Sequence, residues 1–290
     1  MTTNSTPVDY GRLIVRGDDR SGIVSAVSAV LARHGANIVS LDQASGDAAA
    51  GRFFQRTVFH LEDLSAKLDS LQGELDDTLG RDLALDFQLV EAKRSKRVAV
   101  LVSKADHCLL DLLWRQRRGE VRMKIPMVIS NHADLGDDVR GFDIPFFHVP
   151  VEKGNKDVAE KEQLSLLKGN VDLVVLARYM QVLSGDFLEE VGVPVINIHH
   201  SFLPAFMGAG PYQKAKERGV KLVGATAHYV TEDLDEGPII EQDVIRVSHG
   251  DSAADLQRKG ADVERAVLSR AVSWHCDDRV IRDGNSTVVF

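Results

Sequence analysis

Three polar side chains in the second half of the chain are of types that suit chemistry on a carbonyl group. Asn197 and His199 end an apolar run, and Asp235 lies in an acidic loop farther along the chain. An amide can donate a hydrogen bond to a carbonyl oxygen, an imidazole can donate or take a proton, and a carboxylate can orient water or hold the imidazole. Such a set needs neither a metal ion nor a thiol.

The elements around these residues predict that they meet. The apolar run at 194–196, followed by polar residues, is typical of a buried strand that delivers side chains to its carboxyl edge, where open α/β sheets bind ligands. Because strand side chains alternate between faces, Asn197 and His199 project to the same side. A second strand at 224–230 leads into the acidic loop, which ends at Gly-Pro. We therefore expect an amide, an imidazole and a carboxylate at one sheet edge.

The pattern from Arg97 onward predicts an α/β domain. Apolar runs of strand length alternate with helical patterns, which indicates a doubly wound, mainly parallel sheet. The predicted strands are 97–102, 125–129, 144–149, 171–177 and 193–199, and the predicted helices are 106–118, 155–168 and 252–275. A turn at 283–285 is expected to lead into an edge strand at 287–290.

The first ninety residues follow a different pattern. Strands are predicted at 10–16, 38–41, 52–60 and 83–90, with helices at 23–31 and 64–75 and a turn at 46–51. The order βαββαβ is that of the ferredoxin-like split unit. A charged stretch without apolar periodicity separates the two patterns, so the predicted domains are 1–90 and 97–290, joined by a linker at 91–96.

Composition excludes several classes of function. Lys and Arg number 35 against 43 Asp and Glu, and no basic face with interleaved aromatic residues occurs, so a nucleic-acid partner is not expected. The two cysteines are far apart, which disfavours a disulfide framework and a zinc site. No apolar run reaches membrane length, and residues 1–7 lack the apolar core of a signal peptide. We therefore expect a cytoplasmic protein without a membrane partner.

Several short sequence words resemble a known family. N-I-H at 197–199, S-x-L-P at 201–204 and H-Y-V-x-x-x-L-D-E-G-P-I-I at 228–240 resemble the folate-dependent formyl-transfer and formyl-hydrolysis enzymes. The longer words H-H-S-F-L-P-A-F at 199–206 and G-A-T-A-H-Y-V at 224–230 resemble the hydrolytic members, the deformylases, more than the transferases. In the first domain, D-D-R-S-G-I-V and H-G-A-N-I resemble the small-molecule-sensing ACT domain. The resemblance covers nearly the whole chain.

The resemblance implies hydrolysis of 10-formyltetrahydrofolate to tetrahydrofolate and formate, with folate substrate and water as partners and no cofactor or metal. It implies that Asn197 donates to the formyl oxygen, that His199 donates to the same oxygen when protonated, and that Asp235 orients the water and holds the imidazole. His200 stands where transferases usually have proline and is a candidate for holding the water. His228, on the strand before the acidic loop, is a candidate for supporting Asp235.

The segment after the strand at 171–177 is implied to line a pterin pocket. Its candidate substrate-binding residues are Met180, Gln181, Val182 and Leu183, and the transferases often have arginine near the position of Gln181. A helix-initiating loop with core aliphatic residues is the alternative interpretation. The glycine-rich loop at 207–210 is either a lid or a flexible connector.

The resemblance to ACT domains implies an amino-acid effector, bound at the loop before the first helix and typically across a subunit interface. Gly22 and Asn37 are the candidate effector-binding residues, although the family often has proline where this chain has Ser21. A helix start at Gly22 and a strand start at Asn37 explain these residues equally well. The uncovered face and edges of such a sheet predict a homo-oligomer.

Two other functions stay open at this point. The first is formyl transfer to an amine acceptor by the same three residues. The loop at 103–107 disfavours it, because that loop lacks the Gly/Ser/Asn-rich sequence with which transferase relatives hold the acceptor's phosphate. The second is an amino-acid-sensing regulator with an inactive catalytic half, which the intact set of Asn197, His199 and Asp235 disfavours.

Overall fold

The computed structural model describes residues 8–46, 51–152, 154–205 and 211–290. The predicted loop at 207–210 and the interior of the predicted turn at 46–51 lie outside the described residues. The chain divides into two compact units. The first contains residues 1–95, 277–281 and 288–290, and the second contains residues 96–276 and 282–287.

The first unit has the predicted βαββαβ order. Its elements are β1 (Tyr10–Asp18), α1 (Ile23–Arg33), β2 (Asn37–Ser45), β3 (Arg52–His60), α2 (Leu64–Leu75), a π-helical stretch (Asp76–Asp82) and β4 (Asp86–Glu91). The four strands form an antiparallel sheet in the order β2-β3-β1-β4. The strand predicted at 83–90 starts later because the π-helical stretch continues α2 and buries Leu79 against the core.

The core of the first unit follows from helical spacing. Ile23, Val27, Val30 and Leu31 of α1 are buried and pack with the apolar residues of the sheet. Gly22, immediately before α1, has a φ of 96°, a conformation that glycine adopts without strain.

The second unit is built around a mainly parallel sheet. Its elements are β5 (Lys96–Val102), α3 (His107–Arg117), β6 (Met123–Lys124), β7 (Val128–Ser130), α4 (Gly136–Arg140), β8 (Phe146–His148), α5 (Lys156–Leu167), β9 (Leu173–Leu176), α6 (Gly185–Val191), β10 (Val195–His199), α7 (Pro211–Arg218), β11 (Leu222–Tyr229), β12 (Ile239–Arg246) and α8 (Ala253–Cys276). The chain ends with β13 (Val280–Asp283) and β14 (Ser286–Val289). The sheet order is β12-β11-β10-β9-β5-β7-β8, with β6 beside β5.

The direction of the strands changes across this sheet. The pairs from β10 to β8 are parallel, whereas β11 and β12 run antiparallel to their neighbours. Residues 98–102 of β5 are all buried, as expected for a central strand covered on both faces. Ala99 and Leu101 belong to a core that includes residues of α5 and α6, and α8 packs against β10, β11 and β12.

Some elements differ from the sequence-based prediction. The strand β12 was not predicted, because Glu241 and Asp243 interrupt its apolar pattern; both carboxylates pair with Arg270 of α8. The strand predicted at 144–149 is limited to Phe146–His148, and the edge strand is β14. No helix in the described residues is long and apolar enough to span a bilayer.

Candidate active site

The register of β10 against β11 places two of the polar side chains together. Asn197 lies opposite His228, and His199 lies opposite Thr226. The Asn197 Nδ2 and His228 Nε2 atoms are 3.2 Å apart. The distance from His228 Nε2 to Asp235 Oδ1 is longer, at 3.8 Å. The Nε2 atom of His228 thus has its hydrogen bond with Asn197, and the predicted support of Asp235 is limited to this longer contact.

The partners of His228 fix its proton and the orientation of Asn197. Its Nδ1 lies 3.0 Å from the Tyr229 carbonyl oxygen, which can only accept, so Nδ1 carries the proton. Burial lowers the pKa of His228, which keeps the ring neutral and leaves Nε2 as an acceptor. The Asn197 amide consequently turns its NH₂ group toward Nε2. One N–H is used there, and the second is left to donate to another group.

His199 is held by Asp235 and presents one unpaired nitrogen. His199 Nδ1 lies 3.2 Å from Asp235 Oδ1, and the residue is only 6% exposed. The hydrogen bond from His199 holds the pKa of the Asp235 carboxyl below its usual range, against the opposing effect of burial. Because the ionised carboxylate accepts the hydrogen bond from Nδ1–H, Nε2 is the nitrogen left for another partner. Nε2 is buried and has no hydrogen-bond partner among the described residues.

The backbone of the acidic loop places Asp235 against the sheet. Asp235 has a φ of 59°, in the left-handed region that aspartate tolerates better than most residues. Two residues later, a Cβ on Gly237 would overlap the carbonyl oxygen of Tyr229. Only glycine lets the loop pass so close to β11. The Gly-Pro signal in the sequence thus corresponds to a close backbone contact that returns the carboxylate to His199.

One cavity is lined by all the residues that the sequence proposed for catalysis and substrate binding. They are Asn197, His199, Asp235, Met180, Gln181, Val182, Leu183, His200 and His228. Met180 is 58% exposed and Val182 is 56% exposed, whereas Leu183 also belongs to the hydrophobic core. Two apolar side chains thus stand uncovered in the lining of a cavity that also contains polar groups. This combination suits a flat, partly apolar ligand with a reactive polar group.

The segment with Met180 is held by Ser103. The Ser103 hydroxyl accepts from Met180 N at 2.9 Å and donates to Asn131 Oδ1 at 2.7 Å. This serine begins the loop after β5. Transferase relatives use the loop at this place to hold the acceptor's phosphate. The buried hydroxyl of Ser103 is occupied by protein groups and supports the cavity wall.

His200 is neutral in this environment. Burial lowers its pKa to about 4, and the nearby positive charge of Arg178 acts in the same direction. Its ring centroid is 5.3 Å from that of His199 and 6.0 Å from that of Tyr212. A neutral imidazole at this place can both donate and accept a hydrogen bond.

A buried polar cluster beside His200 was not identified from the sequence. We define the Glu264 cluster as His107, Arg178, Tyr212 and Glu264. The Glu264 carboxylate accepts from His107 Nε2 at 2.8 Å and from the Tyr212 hydroxyl at 2.6 Å, and it lies 3.5 Å from Arg178 Nε. One sequence signal was available. Glu264 falls between Gly260 and Leu268 at a spacing of four residues, and so on the buried face of α8.

The donor set of this cluster fits hydrogen bonding better than metal ligation. His107, Cys108 and Glu264 have ligand atoms within 4.8 Å of one another. Both oxygens of Glu264 already accept hydrogen bonds, however, and burial raises the pKa of the Cys108 thiol, which opposes formation of the thiolate.

Replacing Glu264 by glutamine is expected to remove a pH-dependent part of the stability. Burial acts to raise the pKa of Glu264, but the bond from His107 and the charge of Arg178 prevail and lower it from 4.5 to about 2. The unfolded chain therefore binds more protons between pH 4.5 and 2. The stabilisation is present above pH 4.5 and is lost as the pH falls toward 2. The difference between 4.5 and about 2 corresponds to on the order of 3 kcal/mol.

Urea denaturation at several pH values measures this effect. The wild type should be more stable than Glu264→Gln at pH 7, and the difference should shrink between pH 4.5 and pH 3. An equal difference at every pH would contradict an ionised Glu264 in the folded state.

The candidate effector residues lie in the first unit. Gly22 precedes α1 and Asn37 is the first residue of β2. Both are exposed, and no atom lies within 4 Å of a Cβ placed on Gly22. The glycine is therefore explained by its backbone conformation, and effector binding stays a prediction.

Family models match both parts of the chain. A model described as formyl transferase matches residues 96–272, and a model of the ACT domain matches residues 11–75. The first match covers the cavity, including Asn197, His199 and Asp235. The second covers the βαββ portion and α2 of the first unit.

Individual relatives narrow the family. A formyltetrahydrofolate deformylase of Mycobacterium tuberculosis is 61% identical over 282 residues, which are 97% of this chain and 91% of the relative. The crystal structure of a formyltetrahydrofolate deformylase from Pseudomonas syringae has a TM-score of 0.93 at 45% identity and covers 97% of this chain and 94% of that chain. A glycinamide ribonucleotide transformylase from Symbiobacterium toebii has a TM-score of 0.64 at 31% identity, over 68% of this chain and 94% of that chain. The chain therefore belongs to the formyltetrahydrofolate deformylase family.

Proposed function

We propose that the chain hydrolyses 10-formyltetrahydrofolate to tetrahydrofolate and formate. The observation that carries the proposal is the buried, unpaired Nε2 of His199 on the wall of the cavity that also contains Asn197 and Asp235. In a chain whose full-length relatives are named deformylases, this nitrogen is suited to meet the formyl group.

The bond changes of the hydrolysis show which groups each step requires. The oxygen of water attacks the formyl carbon, a C–O bond forms, and the carbonyl oxygen gains negative charge. The free N–H of Asn197 and the protonated Nε2 of His199 donate to that oxygen, which stabilises the intermediate in a site shielded from solvent. The bond between the formyl carbon and N10 then breaks. A proton that originates from water ends on N10, and formate is released.

The carboxylate and the two neighbouring histidines position these groups. Asp235 holds Nδ1 of His199 with one oxygen, which leaves the other oxygen for the attacking water. Neutral His200 provides a second hydrogen bond to that water, and His228 orients the amide of Asn197. Holding water and amide in place before reaction avoids the entropic cost of ordering them in the transition state.

The test is an assay of formate release by the wild type with and without an amine acceptor. Hydrolysis predicts equal formate release in both conditions, whereas tetrahydrofolate formed only with the amine, and without formate, would instead establish the transferase alternative. The transformylase structure is similar over only the second unit, and its name indicates a ribonucleotide acceptor. The engagement of Ser103 by Met180 and Asn131 supports water over a phosphate-bearing acceptor here.

Met180→Ser is expected to raise KM about tenfold with little change in kcat, because a ligand that covers the exposed thioether gains apolar burial in ground state and transition state alike. Steady-state kinetics measures both constants. Val158→Ser is the matched control, since Val158 is 63% exposed but lies on α5, outside the cavity lining. An unchanged KM in Met180→Ser would remove Met180 from the substrate site.

The first unit suggests regulation. An amino-acid effector at the loop that contains Gly22, with Asn37 as a second contact, is the ligand that an ACT domain suggests. Self-association of the chain and a cytoplasmic location are further parts of the proposal, as is a role in balancing one-carbon pools for purine biosynthesis. Adding single amino acids to the formate assay tests whether such an effector changes the rate of formate release.

A further inference from the structure

The Glu264 cluster adjoins the reactive end of the cavity. Arg178 lines the cavity itself, and Tyr212 lies beside the ring of His200, which neighbours His199. No step of the proposed hydrolysis uses a residue of this cluster. A buried carboxylate and guanidinium are nevertheless costly to desolvate, so their presence beside a reaction centre calls for a physical reason.

Arg178 is held in an unfavourable state. Its φ is 62°, in the left-handed region that a long side chain rarely adopts. Its side chain is 13% exposed, and Nε and Nη1 have no hydrogen-bond partner among the described residues. Its ionic contact is Glu264, at 3.5 Å. Strained backbone and unsatisfied buried donors persist mainly at functional sites, where the surrounding structure enforces them.

The rest of the cluster forms a rigid support behind Arg178. A Cβ on Gly260 would overlap the Tyr212 hydroxyl, so only glycine on α8 allows Tyr212 to reach Glu264. His107, at the start of α3, contacts the other oxygen of the same carboxylate. Side chains from α3 and α7 thereby meet at one carboxylate of α8, which is also the ionic contact of Arg178.

We infer that the Glu264 cluster determines acceptor specificity, with Arg178 closing the cavity beside His200 to amines while water still enters. The inference rests on the proposed hydrolysis. Two effects act together. The guanidinium occupies space that a second substrate would need, and its positive charge repels alkyl amines, which are mostly ammonium ions at neutral pH. Water is small and uncharged and is affected by neither.

Formyl transfer to an amine, the reaction that Arg178 excludes in this inference, needs no reagent beyond the two substrates. The amine nitrogen would attack the formyl carbon, a C–N bond would form, and the bond from that carbon to N10 would break. The proton lost by the amine would end on N10. No oxidation occurs, and Asn197, His199 and Asp235 would serve both reactions. The choice between formate and a formamide product therefore depends on which nucleophile reaches the carbon.

The test compares four proteins: wild type, Glu264→Gln, Arg178→Gly and the double variant Arg178→Gly/Glu264→Gln. Glycine suits the left-handed backbone at 178, and in the double variant glutamine keeps an acceptor oxygen for one neighbour while neither charge of the buried pair is left alone. Each protein receives 10-formyltetrahydrofolate with glycinamide. Mass spectrometry measures formate and N-formylglycinamide, and a blank without enzyme sets the background.

Wild type should give formate with N-formylglycinamide at background, and Glu264→Gln, which removes the ionic contact of Arg178, should raise the share of N-formylglycinamide less than the variants that lack Arg178. The double variant should raise the share of N-formylglycinamide about tenfold or more. A folded, active double variant with the share seen in the wild type would overturn the inference. If the double variant does not fold, Tyr212→Ala, which removes the support beside His200, should also raise that share, and an unchanged share would overturn it. Absence of formate from the wild type would instead refute the proposed hydrolysis itself.

Discussion

Asp235→Asn is expected to lower the rate of formate release by about 10³-fold or more. Asp235 Oδ1 lies 3.2 Å from His199 Nδ1, and the hydrogen bond between them lowers the pKa of the carboxyl. An asparagine is a weaker acceptor than a carboxylate for the attacking water, which the second oxygen of Asp235 holds in the proposed reaction. It also lacks the charge that stabilises the imidazolium. The loss should therefore appear in kcat, with a smaller change in KM.

Glu236→Gln is the matched control for this variant. It makes the same change from acid to amide one residue later in the loop, and Glu236 is exposed and does not line the cavity. Its formate release should equal that of the wild type. Equal activity in Asp235→Asn and Glu236→Gln would contradict the role of Asp235 while leaving the overall reaction in place.

His199→Ala is expected to reduce formate release by about 10³-fold, because it removes both the donor to the developing oxyanion and the group that Asp235 holds. The buried Nε2 without a partner is the structural basis. If the two residues act as a unit, the variant His199→Ala/Asp235→Asn should be little slower than His199→Ala alone. If the loss of rate in the double variant instead equals the product of the two single losses, Asp235 also acts independently of His199, through the water.

His148→Ala is the control for this substitution. His148 is exposed on β8, at the opposite edge of the sheet from β12, and makes no part of the cavity. Its kinetic constants should match those of the wild type. Retained activity in His199→Ala, with circular dichroism unchanged, would contradict the assignment of His199 as the oxyanion donor.

The strand-borne part of the site was predictable because it follows from local pattern. An apolar run with polar residues at its end predicted β10, and strand alternation predicted that Asn197 and His199 share a side. The acidic loop punctuated by Gly-Pro predicted where Asp235 lies. The fold class of both domains was likewise confirmed, since it depends on the order and period of the elements.

What sequence reasoning missed depends on contacts between distant positions. His107 and Glu264 are 157 positions apart, and neither carries a local signal of the other. The bond of His228 to Asn197 follows from the register of two antiparallel strands, which the pattern of a single strand does not specify. In β12, Glu241 and Asp243 obscure the apolar pattern, and their partner is on α8.

The most direct test of the central claim is formate production by the wild type in water enriched in ¹⁸O, without any amine. Attack by water on the formyl carbon predicts one ¹⁸O atom in each formate and one tetrahydrofolate formed per formate. Mass spectrometry of formate, together with the absorbance of the folate product, gives both quantities. Formate without label, or tetrahydrofolate formed only when an amine is supplied and without formate, would contradict hydrolysis at this site.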